Sequence, residues 1–206
     1  MKLYLVRHGQ TNFNASSLHQ HGNVELSEKG IGQAETLAKR FSNIKIDVIY
    51  TSPFQRAKHT AEIINKNFNK EIIESEFLQE KKNPSEIVGK SRKSSEVLRI
   101  KELIEEKADD PFWHYSDEEN FTEFKKRVFQ FLPFVEKENH KNVLAVSHSG
   151  TIRAMALLIA LGESLSFTEY NKFRVFQLDN TGITLCEKDE RGNWTVRAFN
   201  DHSHLG

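Results

Sequence analysis

Three short apolar runs do most to limit how this chain can fold: Leu3-Tyr4-Leu5-Val6, Ile46 to Tyr50, and Asn142 to Ser147 (NVLAVS). They are nearly continuous blocks, not alternating patterns. That is the signature of strands buried on both faces, and such strands occur in sheets with helices packed on each side. The segments between them have helical spacing. Ser27 can cap a helix carrying Ile31, Ala34, Leu37 and Phe41, and a helix from about Pro53 carries Phe54, Ala57, Ala61, Ile64 and Phe68. Further helices are expected over 95–107, 120–138 and Thr151 to Leu161, the last apolar nearly all round and therefore central. Three β-rich runs, 174–179, 182–187 and 194–199, close the chain, with a hairpin turn from Glu187 to Asn193. Residues 79 to 95 are polar and lysine-rich and read as a mobile loop with a short helix. The expected fold is α/β: a three-layer α/β/α sandwich with a mostly parallel central sheet, in a single domain over residues 1–206.

Composition narrows the function. The 29 Lys+Arg balance 29 Asp+Glu, which argues against a generic nucleic-acid binder, since that needs a basic excess. Cys186 is the one cysteine, so no intrachain disulfide can form, as suits a reducing compartment. Arg7 interrupts the first apolar run, so it does not read as a signal peptide. The longest apolar stretch, Ala154 to Leu161, is too short to span a bilayer. The expectation is a cytoplasmic enzyme without a membrane or nucleic-acid partner, its oligomeric state open.

The ends of the three runs carry the chemistry. Arg7-His8-Gly9 follows the first, Thr51-Ser52-Pro53 the second and His148-Ser149-Gly150 the third. In open α/β sheets, ligands bind beyond the carboxyl ends of the strands, so these residues should share one edge. Arg7 and Arg56 offer forked donors that match phosphate oxygens. His8 suits a nucleophile: one ring nitrogen can attack phosphorus while the other donates to a backbone acceptor. Gly9 allows a tight turn beside it. His148, opening a helix, can place another donor on a transferring group. Glu80 can protonate a leaving alkoxide.

With these residues the chain resembles the histidine phosphatase superfamily, in its phosphoglycerate mutase-like branch. Arg7-His8-Gly9-Gln10-Thr11-x-x-Asn14 looks like the family's R-H-G-[EQ]-T-x-x-N signature. Leu26-Ser27-x-x-Gly30-x-x-Gln33-Ala34 and Thr51-Ser52-Pro53-x-x-Arg56-Ala57-x-x-Thr60-Ala61 are similar to its next two segments. Leu78-Gln79-Glu80 resembles its L-x-E, and Val146-Ser147-His148-x-Gly150-x-Ile152-Arg153 its V-S-H-G-G-x-I-R. The resemblance implies a metal-independent phosphatase without a cofactor, acting on a small phosphorylated metabolite. His8 would be transiently phosphorylated. Arg7, Arg56 and His148 would hold the phosphoryl group. Gly9, Gln10, Thr11, Asn14 and Ser149 would form its surroundings, and Glu80 would be acid and then base. Ser149 stands where the family usually has Gly, the stretch His19 to Gly22 departs from the family wording, and KKNPSEIVGKS follows Glu80.

Two rivals stand beside this. A cofactor-dependent phosphoglycerate mutase would keep its phosphohistidine from water, but the mutases' Tyr-Gly-Leu and paired-Arg pieces are absent here. A weakly catalytic phospho-ligand binding protein could use the same pocket. Single residues also have bland readings: Asn14 as a turn cap, His148 as a helix cap, Glu80 as one acid in a lysine-rich loop with Glu76 the other candidate. Gly89-Lys90-Ser91 lacks the earlier glycine and strand of a P-loop. His202 and His204 lack a partner at ligand spacing and read as tail. The lysines and arginines at 81–93 are a solvated loop or a lure for an anionic substrate.

Overall fold

A computed structural model describes residues 1–206. Its strands are β1 (Lys2–Arg7), β2 (Val48–Thr51), β3 (Ile72–Glu74), β4 (Asn142–Ser147), β5 (Ile183–Lys188) and β6 (Trp194–Asp201). The helices are α1 (Asn12–Ala15), α2 (Glu28–Phe41), α3 (Gln55–Asn65), α4 (Ser95–Glu106), α5 (Phe121–Phe129), α6 (Phe131–Lys137), α7 (Ser149–Leu161) and α8 (Phe167–Lys172). The strands form one sheet in the order β3-β2-β4-β1-β5-β6. The first four run parallel, and β5 and β6 complete the sheet antiparallel.

Alternation along each strand divides the core in two. Leu3 and Leu5, Val48 and Tyr50, Val143 and Ala145 face a core shared with α5, α6 and α7. Tyr4, Val6, Ile49, Leu144 and Val146 face the other, shared with α2 and α3. This is the three-layer sandwich expected from the apolar runs. Helix α7 is buried continuously from Gly150 to Leu158, as its all-round apolar sequence requires.

Several elements differ from expectation. The expected single helix over 120–138 breaks at Gln130 into α5 and α6. Pro133 has no N–H to give Phe129, so a continuous helix would lose that bond; restarting puts the proline in the first turn of α6, where it is tolerated. Residues 174–179 form no strand. Val175 and Phe176 are exposed beside a short 3₁₀ turn, Phe173–Val175. Helix α8 was missed, although Ser166 and Glu169 form a capping box that the S-x-x-E spacing announces. Strand β3 is a three-residue edge strand with too few apolar positions to be legible. The 79–95 segment is tied to its neighbours and contains a short 3₁₀ turn, Ser85–Ile87. Leu18 pairs with Ser91, the Gly89 N–H donates to the His19 carbonyl, and Ile87 is fully buried against Val97 and Ile100.

One close approach sets the geometry near the first strand end. A Cβ on Gly30 would lie 2.0 Å from the Gln10 carbonyl oxygen, and one on Gly9 would lie 2.5 Å from the Gly30 carbonyl oxygen. Gly9 therefore serves the close packing of α2 onto this loop. Gly30→Ala should lower stability by roughly 1–3 kcal/mol, as overpacking does. Urea denaturation checks this: the midpoint should fall with an unchanged slope.

Candidate active site

β4 lies between β1 and β2, so three strand ends stand side by side. The register pairs Arg7 with Ser147 and Thr51 with Val146. His8 and His148, each one residue further on, therefore leave the sheet at the same level, and Ser52 stands one residue behind them, level with Ser147. The His8 N–H still donates to Ser147 O at 3.0 Å, and the Ser52 N–H to Val146 O at 2.9 Å. The expected convergence holds.

His8 and His148 floor a cleft of about 980 Å³, and Ser52 is buried behind them. His8 is buried, with Nδ1 2.7 Å from the Gly9 carbonyl oxygen. A carbonyl only accepts, so Nδ1 carries the proton and the Nε2 lone pair is free. Arg56 Nε donates to that Nε2 at 3.3 Å, while Arg56 Nη1 donates to His21 O at 2.9 Å. The Arg56 guanidinium also lies over the Phe54 ring, 4.9 Å from its centroid. Arg7 reaches the Leu178 carbonyl, and its Nε is buried without a partner. The ring of His148 lies 5.1 Å from that of His8. His148 Nε2 meets Ser52 Oγ at 2.9 Å, and its Nδ1 is buried without a partner.

Burial shapes the charges. Arg7 and Arg56 are each brought down to about 10, mainly by burial and against the attraction of Glu80. His8 and His148 are held well below the ordinary histidine value by burial, then by the Arg56 charge. At neutral pH the floor thus combines two desolvated cations with two neutral imidazoles. Neither ring of the floor carries a proton's charge there, and His8 Nε2 is already unprotonated.

Glu80 faces the same cleft, whereas the rival Glu76 is exposed on a 3₁₀ turn and does not line it. The Glu80 carboxylate accepts from Gly150 N at 3.1 Å and from Lys81 N at 3.1 Å. A Cβ at Gly150 would fall 2.3 Å from Glu80 Oε1, so the absence of a side chain there makes this docking fit. Asn14, Gln10 and Ser149 line the cleft. Thr11 does not: it is fully buried, its Oγ1 accepting from Asn14 N to cap α1 and donating to Gln20 Oε1. Gly9 does not line it either. Both hold the loop: Thr11 through Asn14 and Gln20, and Gly9 through its N–H donating to Thr60 Oγ1 at 3.1 Å.

Other residues escaped sequence reasoning. Asn180 donates to His8 O at 2.9 Å and stands 3.5 Å from Asn14 Oδ1, but its D-N-T context carries no pattern. Ser52 lies inside a quoted segment and its role became visible only through His148. Arg127, on the Phe-rich α5, donates from Nη1 to the carbonyls of Glu76, Phe77 and Gln79 and pairs with Glu119 at 2.6 Å, steadying the segment that delivers Glu80. His19, Gln20, His21 and Gly22 form part of the wall. No group of three or more His, Cys, Asp or Glu is arranged to hold a metal. His204 bonds Thr181 Oγ1, and Lys90 pairs with Glu96.

A family model, the histidine phosphatase superfamily (branch 1), matches residues 3–202. Phosphoserine phosphatase 1 of Hydrogenobacter thermophilus is 31% identical over 217 aligned residues, covering 100% of this chain and 95% of that protein. The adenosylcobalamin/alpha-ribazole phosphatase of Salmonella typhimurium is 29% identical, covering 98% of each. A crystal structure of a phosphoserine phosphatase mutant from Entamoeba histolytica, in complex with phosphoserine, superposes with a TM-score of 0.79 at 28% identity, covering 99% of this chain and 98% of that one. Strand-end chemistry, fold and sequence agree: the chain belongs to the histidine phosphatase superfamily, branch 1, and is a phosphatase.

Proposed function

We propose that this single-domain protein hydrolyses small phosphomonoesters in the cytoplasm, through a phosphohistidine on His8 and without a metal. The observation that carries the reading is the buried His8 ring, its Nδ1–H held by the Gly9 carbonyl and its Nε2 aimed at the cleft beside Arg56. Arg7 and Arg56 neutralise the phosphoryl oxygens, the work a metal would otherwise do, and the neutral His148 ring offers them a hydrogen bond. His8 Nε2 attacks phosphorus, the P–O bond breaks, and the acid form of Glu80 gives its proton to the leaving oxygen. The Glu80 carboxylate then takes a proton from water as that water attacks the phosphohistidine, which frees phosphate and restores His8.

Three apolar residues, Ala15, Phe54 and Val88, share an otherwise polar cleft lining, which supports a polar metabolite. Phosphoserine, bound by the Entamoeba histolytica relative, is one compound to try. No helix is long and apolar enough to cross a membrane.

The test is phosphate release from p-nitrophenyl phosphate, phosphoserine and 3-phosphoglycerate, with and without EDTA. Release unaffected by EDTA is expected. Loss on chelation with recovery on adding Mg²⁺ or Zn²⁺ would end the metal-free mechanism. Isomerisation of 3-phosphoglycerate dependent on 2,3-bisphosphoglycerate, without phosphate release, would make the protein a mutase. Binding without turnover would make it a phospho-ligand receptor.

A further inference from the structure

Ser52, behind the two histidines, is fully buried, and its hydroxyl has two hydrogen-bond partners. The Phe54 N–H donates to Ser52 Oγ at 3.3 Å, and His148 Nε2 lies 2.9 Å from the same oxygen. A hydroxyl carries one proton and two lone pairs. The Phe54 N–H occupies one lone pair. If His148 Nε2 also donated, the oxygen would receive two N–H groups and its own proton would face no acceptor. Buried polar groups are rarely left unmet in this way. The Ser52 hydroxyl therefore donates to His148 Nε2, and that nitrogen bears a lone pair.

The rest follows from the ring. His148 is neutral, held so by burial and then by the charge of Arg56, so one of its two nitrogens carries a proton. With Nε2 accepting, that nitrogen is Nδ1. It is buried and has no partner within the protein, in a ring that lines the cleft beside His8. The Phe54 ring packs edge-on against His148, with centroids 5.2 Å apart, and holds the ring in this orientation. A phosphoryl oxygen needs a donor here. In the other tautomer it would meet a lone pair and be repelled. His8 and His148 are thus the same tautomer put to opposite uses. The Gly9 carbonyl holds the Nδ1 proton of His8 and leaves Nε2 to attack. The Ser52 hydroxyl holds Nε2 of His148 and leaves Nδ1–H to donate.

We propose that Ser52 is a positioning residue for phosphoryl transfer: its hydroxyl fixes His148 as the Nδ1–H tautomer, and this Nδ1–H makes the bond that His148 gives to the phosphoryl group. The inference rests on the phosphatase reading above. It names the atom of His148 that works and the residue that selects it.

Long-range ¹H–¹⁵N spectra of protein labelled at the histidine ring nitrogens report the tautomer, and His148→Asn identifies the His148 signals by their loss. At neutral pH the wild type should show His148 protonated on Nδ1 and unprotonated on Nε2. Ser52→Ala should abolish that preference. Two substitutions of His148 test the same point by turnover. An asparagine amide nitrogen reaches the place of Nδ1, and a glutamine amide nitrogen the place of Nε2. His148→Gln should lose about 10²–10³-fold in kcat, as when one donor to a transition-state oxyanion is removed, and His148→Asn should exceed it by at least about tenfold. Ser52→Ala should lower kcat/KM by about tenfold, equally for p-nitrophenyl phosphate and an alkyl phosphate, because both present the same phosphoryl oxygens. In the His148→Asn background it should cost less than about twofold, which separates a role through His148 from a loss of folding. The proposal is overturned if wild-type His148 is protonated on Nε2, if His148→Gln matches or exceeds His148→Asn, or if Ser52→Ala costs as much in the His148→Asn background as in the wild type. If the wild type fails to hydrolyse p-nitrophenyl phosphate, the phosphatase reading itself fails, which is a separate result, and the spectra still decide the tautomer.

Discussion

His8→Ala should lower kcat by roughly 10⁴–10⁶-fold, the scale seen when a covalent nucleophile is removed. The substitution deletes the attacking atom and leaves Arg7, Arg56 and His148 to bind phosphate, so affinity for inorganic phosphate should survive. Rapid quenching of the wild type during turnover should trap phosphate on the protein in an acid-labile, base-stable form, and His8→Ala should trap none. The competing nucleophile is His148, whose ring lies 5.1 Å from that of His8. Its Nε2 is engaged by Ser52 Oγ at 2.9 Å, whereas His8 Nε2 meets only a donor that a phosphoryl oxygen can take over. An adduct that persists in His8→Ala would move the nucleophile to His148. Because burial and Arg56 hold His8 well below the ordinary histidine value, its protonation does not set the acid limb of the pH profile near 6.5.

Glu80→Gln should have an effect that depends on the leaving group. An alkoxide needs a proton as the P–O bond breaks, and nitrophenolate hardly does. Positioned general acids contribute ~10²–10⁴-fold. Phosphohistidine formation from an alkyl phosphate should slow by about that factor, and far less from p-nitrophenyl phosphate, in single-turnover measurements of the first step. Glutamine keeps one oxygen to accept from Gly150 N, so the docking onto α7 is retained while proton transfer is lost. Equal losses on both substrates would mean that Glu80 acts by position. No loss on either would remove it from the mechanism, and the exposed Glu76 offers no substitute within the cleft.

The placement of both residues in the cleft was legible before any coordinates, because it follows local signals: His8 the end of a buried strand, Glu80 a short motif. The same holds for Arg7, Arg56 and His148. Thr11 and Gly9, expected around the substrate, lie outside the cleft lining. A motif records that a residue type is needed, and it does not say whether the need is for a ligand or for packing. Gly9 is needed because α2 approaches the loop at Gly30. Asn180 and Arg127 were illegible because their partners, His8 O and the carbonyls of 76 to 79, are far away in sequence.

What the sequence determined by itself follows from short-range physics. Continuous apolar runs demand burial on both faces, helical spacing supplies the covering layers, and strand ends expose the polar residues that follow them. Tertiary structure decided what depends on where distant segments meet. It inserted β4 between β1 and β2, bringing His8 and His148 to one level with Ser52 one residue behind. It anchored the 79–95 segment and seated Glu80 on the N–H of Gly150. It also gathered Lys101, Arg153 and Arg174 around one recess. Burial and net field are properties of an assembled neighbourhood, so a cluster of charges drawn from several separate segments is invisible until the chain has folded.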